Sequence, residues 1–99
     1  MNQTILSARI AEAKPLRYTP AGLPALDLRL EHESEAVEAG SKRQVRVEVR
    51  AVAFGVDAET LARQAIGASF RFTGFLAAFR NGKHPVLHIQ SFQQEQPSS

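Results

Sequence analysis

Apolar and polar residues alternate strictly between positions 42 and 52, in the segment KRQVRVEVRAV. A period of two sends successive side chains to opposite faces of a β-strand. The apolar face consists of Val45, Val47, Val49 and Ala51, and the polar face of Lys42, Gln44, Arg46, Glu48 and Arg50, with Arg43 at the strand entrance. The pattern therefore predicts a strand that buries one face and presents a cationic face to water or to an anion.

Two strands are predicted before this one, over residues 4–11 and 23–32. The second of them places three leucines on one face, namely Leu26, Leu28 and Leu30. The loop between the two strands contains the turn-forming residues Pro15, Pro20 and Gly22. Pro20 suits the second position of a turn, because its ring fixes φ at the required value. The polar segment 33–40 is predicted to be a loop that leads into the basic strand.

The pattern becomes helical after the basic strand. Asp57 suits the N-cap position, because its carboxylate can accept a hydrogen bond from an unpaired amide of the first turn. An apolar stripe at helical spacing follows, made of Leu61, Ala62, Ala65 and Ile66. Gly67 fits the position just past the helix end. Two more strands are predicted over residues 69–79 and 85–92, and the Asn-Gly pair in segment 80–84 is typical of a hairpin turn between them.

The predicted order is three strands, one short helix and two strands. An open five-stranded sheet would expose long edges, whereas closure into a barrel with the helix at one end removes them. We therefore expect an all-β, five-stranded OB-fold barrel with one short helix between strands three and four. The domain is predicted to cover residues 1–92, and residues 93–99 to form a short, polar, disordered tail. A small β-sandwich and an open α+β sheet are the alternatives.

Composition narrows the function classes. The chain has 99 residues, which is enough for one small core, and its 12 basic and 10 acidic residues give a net charge of only +2. Without cysteine there is no disulfide, thiolate metal site or thiol nucleophile. The N-terminal segment lacks the features of a signal peptide, and no apolar run approaches the roughly 20 residues needed to span a bilayer. These features predict a cytoplasmic protein without a membrane partner.

No pattern of catalytic or metal-binding residues is present. His84 and His88 are four residues apart, but that spacing joins two imidazoles only on a helix, which Pro85 and the strand pattern oppose. The acidic run 31–38 has no EF-hand spacing, and no serine lies in a nucleophile elbow. We therefore expect no enzyme activity, no cofactor and no bound metal.

Aromatic residues near the cations favour single-stranded nucleic acid as the anion. In the fourth strand Phe70, Phe72 and Leu76 share one phase, whereas Phe75 and Phe79 share the other. If the first set is core, the second lies outside, where unpaired bases stack on aromatic rings with roughly 1–3 kcal/mol per base. The alternative is structural, with Phe75 and Phe79 packed under a loop or in a dimer interface.

Short motifs spread over most of the chain resemble one known family. They are PLR at 15–17, P-x-G-x-P at 20–24, LEH at 30–32, Ala39-Gly40 followed by Arg43-Gln44, GF at 74–75, NG at 81–82 and VLH at 86–88. Their order and spacing together resemble primosomal replication protein N, the PriB family of small bacterial OB-fold proteins.

The resemblance implies a homodimer that binds single-stranded DNA without strong sequence preference in the replication restart primosome. It also implies contacts with the helicase PriA and the loader DnaT, between which DNA is passed. Together with the basic strand, it gives these expected DNA-binding residues: Arg17, Tyr18, Arg43, Arg46, Arg50, Phe75, Arg80, Lys83 and His84. Three positions depart from the better-known family pattern, with Arg46 in place of a tryptophan, Tyr18 in place of a lysine and Glu33 in place of an arginine.

Two further interpretations concern partners. The alternative function is an OB-fold protein-interaction module whose basic face binds an acidic protein. The first strand carries aliphatic residues on both faces, including Ile5 on one and Ile10 on the other. This pattern suggests a contact beyond the strand's own core, and we expect the strand to contribute to the homodimer, although either isoleucine is equally suited to the barrel core.

Overall fold

The computed structural model describes residues 1–78 and 82–95. Its elements in chain order are β1 (Thr4–Ala13), β2 (Arg17–Tyr18), β3 (Pro24–Glu38), β4 (Ser41–Phe54), α1 (Val56–Ala62), β5 (Ser69–Ala78) and β6 (Pro85–Gln94). Apart from the two-residue β2, which was not expected, the order is the predicted one of three strands, a helix and two strands.

The five long strands close into a barrel. Their order in the sheet is β1-β5-β6-β4-β3, and β1 also pairs with β3, while the short β2 lies outside β3. All pairs are antiparallel except β4 with β6, which is parallel. The pairing register shifts between Ile10 and Glu12 on β1 and between Thr73 and Gly74 on β5. Such irregularities bend strands, as barrel closure requires, and the predicted OB-fold is confirmed.

The inward faces of the strands form one apolar core. The three leucines predicted to share a face are all buried, as are the predicted core aromatics Phe70 and Phe72. From α1, Ala58 and Leu61 enter the same core. Because the helix packs against β3 and β4, these two side chains fix it to one end of the barrel.

The helix differs in detail from the predicted one. It begins at Val56, so Asp57 lies in the first turn and not at the N-cap, where Gly55 stands without a side-chain hydrogen bond. In the first turn the negative charge of Asp57 interacts favourably with the positive N-terminal end of the helix dipole. The helix ends at Ala62, so the predicted stripe stops early and Ile66 is exposed. The chain turns away because the Gly67 amide, at φ 96°, donates to the Ile10 carbonyl of β1 at 2.7 Å.

The predicted loop over residues 33–40 is wrong. β3 and β4 pair without interruption from Ala25↔Phe54 to Glu38↔Ser41. Only Ala39 and Gly40 make the turn, with φ of 51° and 80°, and positive φ at both positions is typical of a type I′ hairpin. Residues 33–47, which we call the hairpin arm, consequently extend past the barrel core.

The arm also changes the expected burial of the basic strand. Ala51 is buried as predicted, but Val45 is only half-buried and Val47 is 44% exposed. The apolar face of β4 is therefore dry only where the strand crosses the barrel, since the arm has no opposing layer among the described residues.

The remaining predicted boundaries are close to the observed ones. The turn after β2 is confirmed, because the Gly22 amide donates to the Thr19 carbonyl at 2.8 Å with Pro20 in the second position. β6 runs through Gln94, two residues past the predicted end, and the Glu95 amide still bonds to β5 at Ser69. Phe79, Arg80, Asn81 and the final residues 96–99 lie outside the described part of the chain.

Candidate nucleic-acid interface

The side chains that alternate with the buried leucines of β3 point away from the core and form, with their β4 neighbours, a polar surface. We call this surface the outer face and define it by Asp27, Arg29, Glu31 and Glu33 of β3 and by Arg46, Glu48 and Arg50 of β4. Cross-strand pairs place Arg29 opposite Arg50 and Glu33 opposite Arg46. Arg46 and Arg50 therefore share one face, as predicted.

Arg43 lies on the other side of the strand. Because side chains alternate along a strand, Arg43 shares a face with Val45 and Val47 and lies on the face opposite to Arg46. Its guanidinium donates to Glu38 Oε1 at 2.8 Å. The structure thus separates Arg43 from the other two predicted arginines of β4.

Carboxylates of β3 accompany most cations of the arm. Arg46 Nε is 3.4 Å from Glu33 Oε1, and Lys42 Nζ is 3.9 Å from Glu35 Oε1. These side chains are largely solvent-exposed. Because exposed ion pairs contribute only about 0–1 kcal/mol, such cations can exchange their carboxylate partner for a phosphate at small cost.

Residues of β1, β3, β4 and β6, with Lys14 just after β1, enclose an open groove of about 440 Å³. It is lined by Glu12, Lys14, Asp27, Leu28, Arg29, Arg50, Ala51 and Val86. Arg29 is held by Glu48 at 2.9 Å and by Glu12 at 3.4 Å, and the charge of Glu48 raises the pKa of Arg29 above its ordinary value. In the described residues neither Lys14 nor Arg50 forms an ion pair, so both are available to an anion in the groove.

The short β2 pairs with the start of β3 and carries two of the predicted residues. Arg17 donates to both carboxylate oxygens of Asp27, from Nε at 2.6 Å and from an Nη at 3.2 Å. This bidentate hydrogen bonding raises the pKa of Arg17 above its ordinary value. Arg17 is therefore already committed to a carboxylate, whereas the neighbouring Tyr18 is exposed.

Three aromatic rings from different strands meet on the outer face. Phe75 of β5 stacks on His88 of β6 with ring centroids 4.9 Å apart and an interplanar angle of 13°. Phe54 of β4 lies 6.3 Å from the same imidazole, inclined by 32°. Phe75 is half-buried, so it is packed against a ring of its own sheet and remains partly accessible. We call these three side chains the ring cluster.

The β5–β6 hairpin supplies the last predicted residues. Lys83 and His84 are exposed just before β6 begins at Pro85. Arg80 lies outside the described residues. Whether these three residues contact a ligand stays a prediction.

Sequence reasoning missed three residues of this surface, namely Lys14, Phe54 and His88. Phe54 has the same strand parity as Arg50, so the alternation that placed Arg50 outside could also have placed Phe54 there. No local signal joins Phe54 to His88, because they meet through the parallel β4–β6 pairing.

In the described residues no helix is both long and apolar enough to span a membrane.

The closed barrel, its helix between β4 and β5, and an outer face on which arginines, carboxylates and aromatic rings lie together define an OB-fold protein with a mixed-charge, aromatic surface. A family model described as another single-strand binding protein family matches residues 2–91. The chain is 50% identical over 91 residues to replication restart protein PriB of Bordetella pertussis, covering 91% of this chain and 85% of that protein.

Solved structures agree with this relationship. The PriB structure from Ralstonia solanacearum has a TM-score of 0.88 and 35% identity, covering 97% of this chain and 99% of the other. The single-stranded DNA binding protein of Thermus aquaticus shares the fold, with a TM-score of 0.78 and 22% identity over 97% of this chain and 51% of its own. The chain therefore belongs to this single-strand binding family and, within it, to the replication restart PriB proteins.

Proposed function

We propose that this protein binds single-stranded DNA without strong sequence preference and assists replication restart. The observation that carries the proposal is the groove lined by Arg50 and Lys14, which form no ion pair in the described residues, together with the ring cluster, whose Phe54 shares a face of β4 with Arg50. Cations that follow phosphates and rings that stack bases recognise single strands without reading base edges. The relatives from Bordetella pertussis and Nitrosomonas europaea bear the name of a replication restart protein rather than that of an enzyme.

Fluorescence anisotropy with single-stranded and duplex oligonucleotides over a salt series tests this proposal. Contact with about 3–5 phosphates gives a slope of log K against log salt of about −2 to −3.5, since each phosphate of a single strand contributes about −0.7. We expect tighter binding to the single strand and similar affinities for different base compositions. Equal or tighter binding to duplex at the same salt would refute the proposal.

A homodimer through β1 is the second part of the proposal. β1 pairs with β5 from Thr4 onward but with β3 only from Arg9 onward. Its other edge before Arg9 thus carries no strand in the described residues, although the Nδ1–H of His32 donates to the Ser7 carbonyl there at 2.6 Å. Ile5 next to this edge is 61% exposed. An open strand edge with an exposed aliphatic residue is suited to pairing with a second copy.

Sedimentation at micromolar concentration measures the dimer directly. We expect a dimer for the protein and a shift toward monomer for Ile5→Lys, which places a charge beside the open edge. A monomeric protein would reject the dimer, and an undiminished dimer of Ile5→Lys would place the interface elsewhere.

The partners of the restart primosome complete the proposal. We infer that the protein contacts a PriA-type helicase and a DnaT-type loader, and that it acts in the cytoplasm, where bacterial replication forks lie. Support comes from the 50% identity to a replication restart protein. Co-sedimentation of the purified proteins with and without oligonucleotide tests both contacts, and absence of either complex would remove that partner.

The aromatic residues separate DNA binding from the protein-interaction alternative. The β3 carboxylates beside Lys42, Arg43 and Arg46 reduce the attraction of the arm for DNA and for an acidic protein alike, so charge does not distinguish the two. If the surface serves an acidic protein, Phe75→Ala and Tyr18→Ala should leave oligonucleotide binding unchanged. A loss of binding in both variants favours DNA.

A further inference from the structure

Two of the three members of the ring cluster, Phe54 and His88, are not among the residues expected to bind DNA. Phe54, His88 and Phe75 come from β4, β6 and β5, three strands that are neighbours in the barrel. His88 is directly opposite Phe75 in the antiparallel β5–β6 pair. It is also the parallel partner of Val52, two positions before Phe54 on the same face. The three rings consequently form a row that crosses the strands.

The strands beneath the row of rings are tightly packed. Val52 is fully buried although its side chain points to the outer face, and Gly74 beside Phe75 is buried as well. A Cβ at Gly74 would collide with the His88 carbonyl oxygen and would lie 2.9 Å from its carbon. β5 and β6 therefore approach closely here, and this approach fixes Phe75 against His88. The rings are positioned by the sheet and not by a flexible loop.

The row is nevertheless accessible at its β4 end. Phe54 is 36% exposed, and Leu23, which is also exposed, packs over the adjacent Gly55 at 3.9 Å from the position of a Cβ. An aromatic ring that retains this much exposure on a rigid strand offers a surface for another flat group.

The charges around the row of rings indicate which kind of flat group can bind there. Arg50 lies on the same face as Phe54, two outward positions earlier along β4, and forms no ion pair in the described residues. The carboxylate nearest along the sheet, Asp27 opposite Val52, is neutralised by Arg17. The exposed Phe54 ring and the partly accessible Phe75 ring share a face with a cation that has no ion pair in the described residues and with a compensated acid, and this arrangement complements a chain of bases joined by phosphates.

We propose that Phe54, His88 and Phe75 form a base-stacking platform that extends the DNA path from the groove at Arg50 across β4, β6 and β5. Bases of one single strand stack at the exposed Phe54 end and at the partly accessible Phe75 end, while His88 holds the two rings in place. Arg50 takes the phosphate between the groove and the platform. This inference rests on the proposed binding of single-stranded DNA and assigns Phe54 and His88 to it.

The test compares two oligonucleotides that carry the same phosphates. One is an oligo(dT), and the other has abasic sites in place of its central bases. The protein should bind the oligo(dT) more tightly, and the ratio of the two affinities measures stacking separately from charge. Phe54→Leu keeps an apolar side chain but removes the ring, and we expect about fivefold weaker binding to oligo(dT), a smaller ratio and an unchanged salt slope. Phe54→Tyr should restore the ratio.

Ile66→Ala is the matched control, because Ile66 is equally an exposed apolar residue but lies outside the strands. Thermal unfolding confirms that each variant is folded. If the protein binds single strands but Phe54→Leu leaves both affinity and ratio unchanged, the platform is wrong while the proposed function stands. If Phe54→Leu weakens only the complex with a helicase partner, the platform is a protein-binding surface and the inference also fails. Failure of the unaltered protein to prefer single strands would instead overturn the proposed function.

Discussion

Replacing Glu33 by glutamine should strengthen DNA binding, because Glu33 is the carboxylate that accompanies Arg46. Glu33 Oε1 lies 3.4 Å from Arg46 Nε and 3.9 Å from an Nη of Arg9. In water, opposite unit charges 3.4 Å apart attract by about 1.2 kcal/mol before salt screening. Arg46 is 73% exposed and Glu33 42%, and measured contributions of such pairs are only about 0.2–1 kcal/mol. A phosphate can therefore displace the carboxylate, but only against this attraction.

The expected gain follows from two contributions. A phosphate bound by Arg46 at about 6 Å from the Glu33 carboxylate is repelled by about 0.7 kcal/mol in water. Releasing Arg46 from its ion pair adds up to about 0.5 kcal/mol. Glu33→Gln should therefore bind single-stranded DNA about 3- to 8-fold more tightly at low salt. The gain should shrink as salt rises, because the Debye length falls from about 30 Å at 0.01 M to about 10 Å at 0.1 M.

Anisotropy titrations with a labelled oligo(dT) measure this gain, and Glu59→Gln is the matched control. It makes the same change in net charge on α1, away from the outer face. Arg46→Ala should weaken binding and flatten the salt slope by at most about 0.7, whereas Arg46→Lys keeps the charge but loses the planar group and should recover only part of the affinity. In the Arg46→Ala background Glu33→Gln should lose most of its gain, because both contributions depend on Arg46 and on the phosphate that it binds.

Two results would contradict this reasoning. An equal effect of Glu33→Gln and Glu59→Gln would show that only net charge matters. If Arg46→Ala leaves both the affinity and the salt slope unaltered in a folded protein, Arg46 only solubilises the arm.

Three further outcomes are expected. Phe75→Ala should weaken oligo(dT) binding by about 1–3 kcal/mol without changing the salt slope, because stacking releases no counterions; a changed slope in anisotropy titrations would argue against stacking. Gly74→Ala should lower the free energy of unfolding by about 1–3 kcal/mol, since its methyl group meets the His88 carbonyl, and an unchanged urea midpoint would show that the strands separate freely. Leu61→Ala should cost about 2–5 kcal/mol, because this buried leucine fixes the helix to the core; a urea-unfolding loss below about 1 kcal/mol would mean that the helix contributes little.

Local patterns were sufficient to predict the barrel but not the hairpin arm. The period of two in β4 and the leucines of β3 identified the inward faces, because strand periodicity depends only on neighbouring residues. The acidic segment before Gly40 resembled a loop, since isolated acidic residues have low strand propensity. Its partners on β4 lie up to 13 positions away, as for Glu33 and Arg46. A sequence of acids followed by bases around a possible type I′ turn was the signal that could have revealed the hairpin.

The residues of the candidate site could likewise be predicted within one strand but not across strands. Parity along one strand correctly placed Arg46 and Arg50 on the outer face. It could not show that Arg17 is bound to Asp27 or that His88 lies between two phenylalanines, because those contacts join different strands. The prediction for Arg43 rests on its place beside the other cations in the sequence, whereas the alternation of side chains along β4 places it on the opposite side.

The distribution of carboxylates divides the cations of β4 into two kinds. Lys42, Arg43 and Arg46 each have a carboxylate oxygen within 4.0 Å, whereas Arg50 has none in the described residues. When DNA binds, such a paired cation exchanges its carboxylate partner for a phosphate. Because part of its charge was already compensated, the net number of counterions released into solution is smaller than its charge alone suggests. The salt slope should therefore be smaller than a count of basic residues implies. Affinity should depend mainly on Arg50 and the aromatic residues, and the arm should adjust it through Glu33.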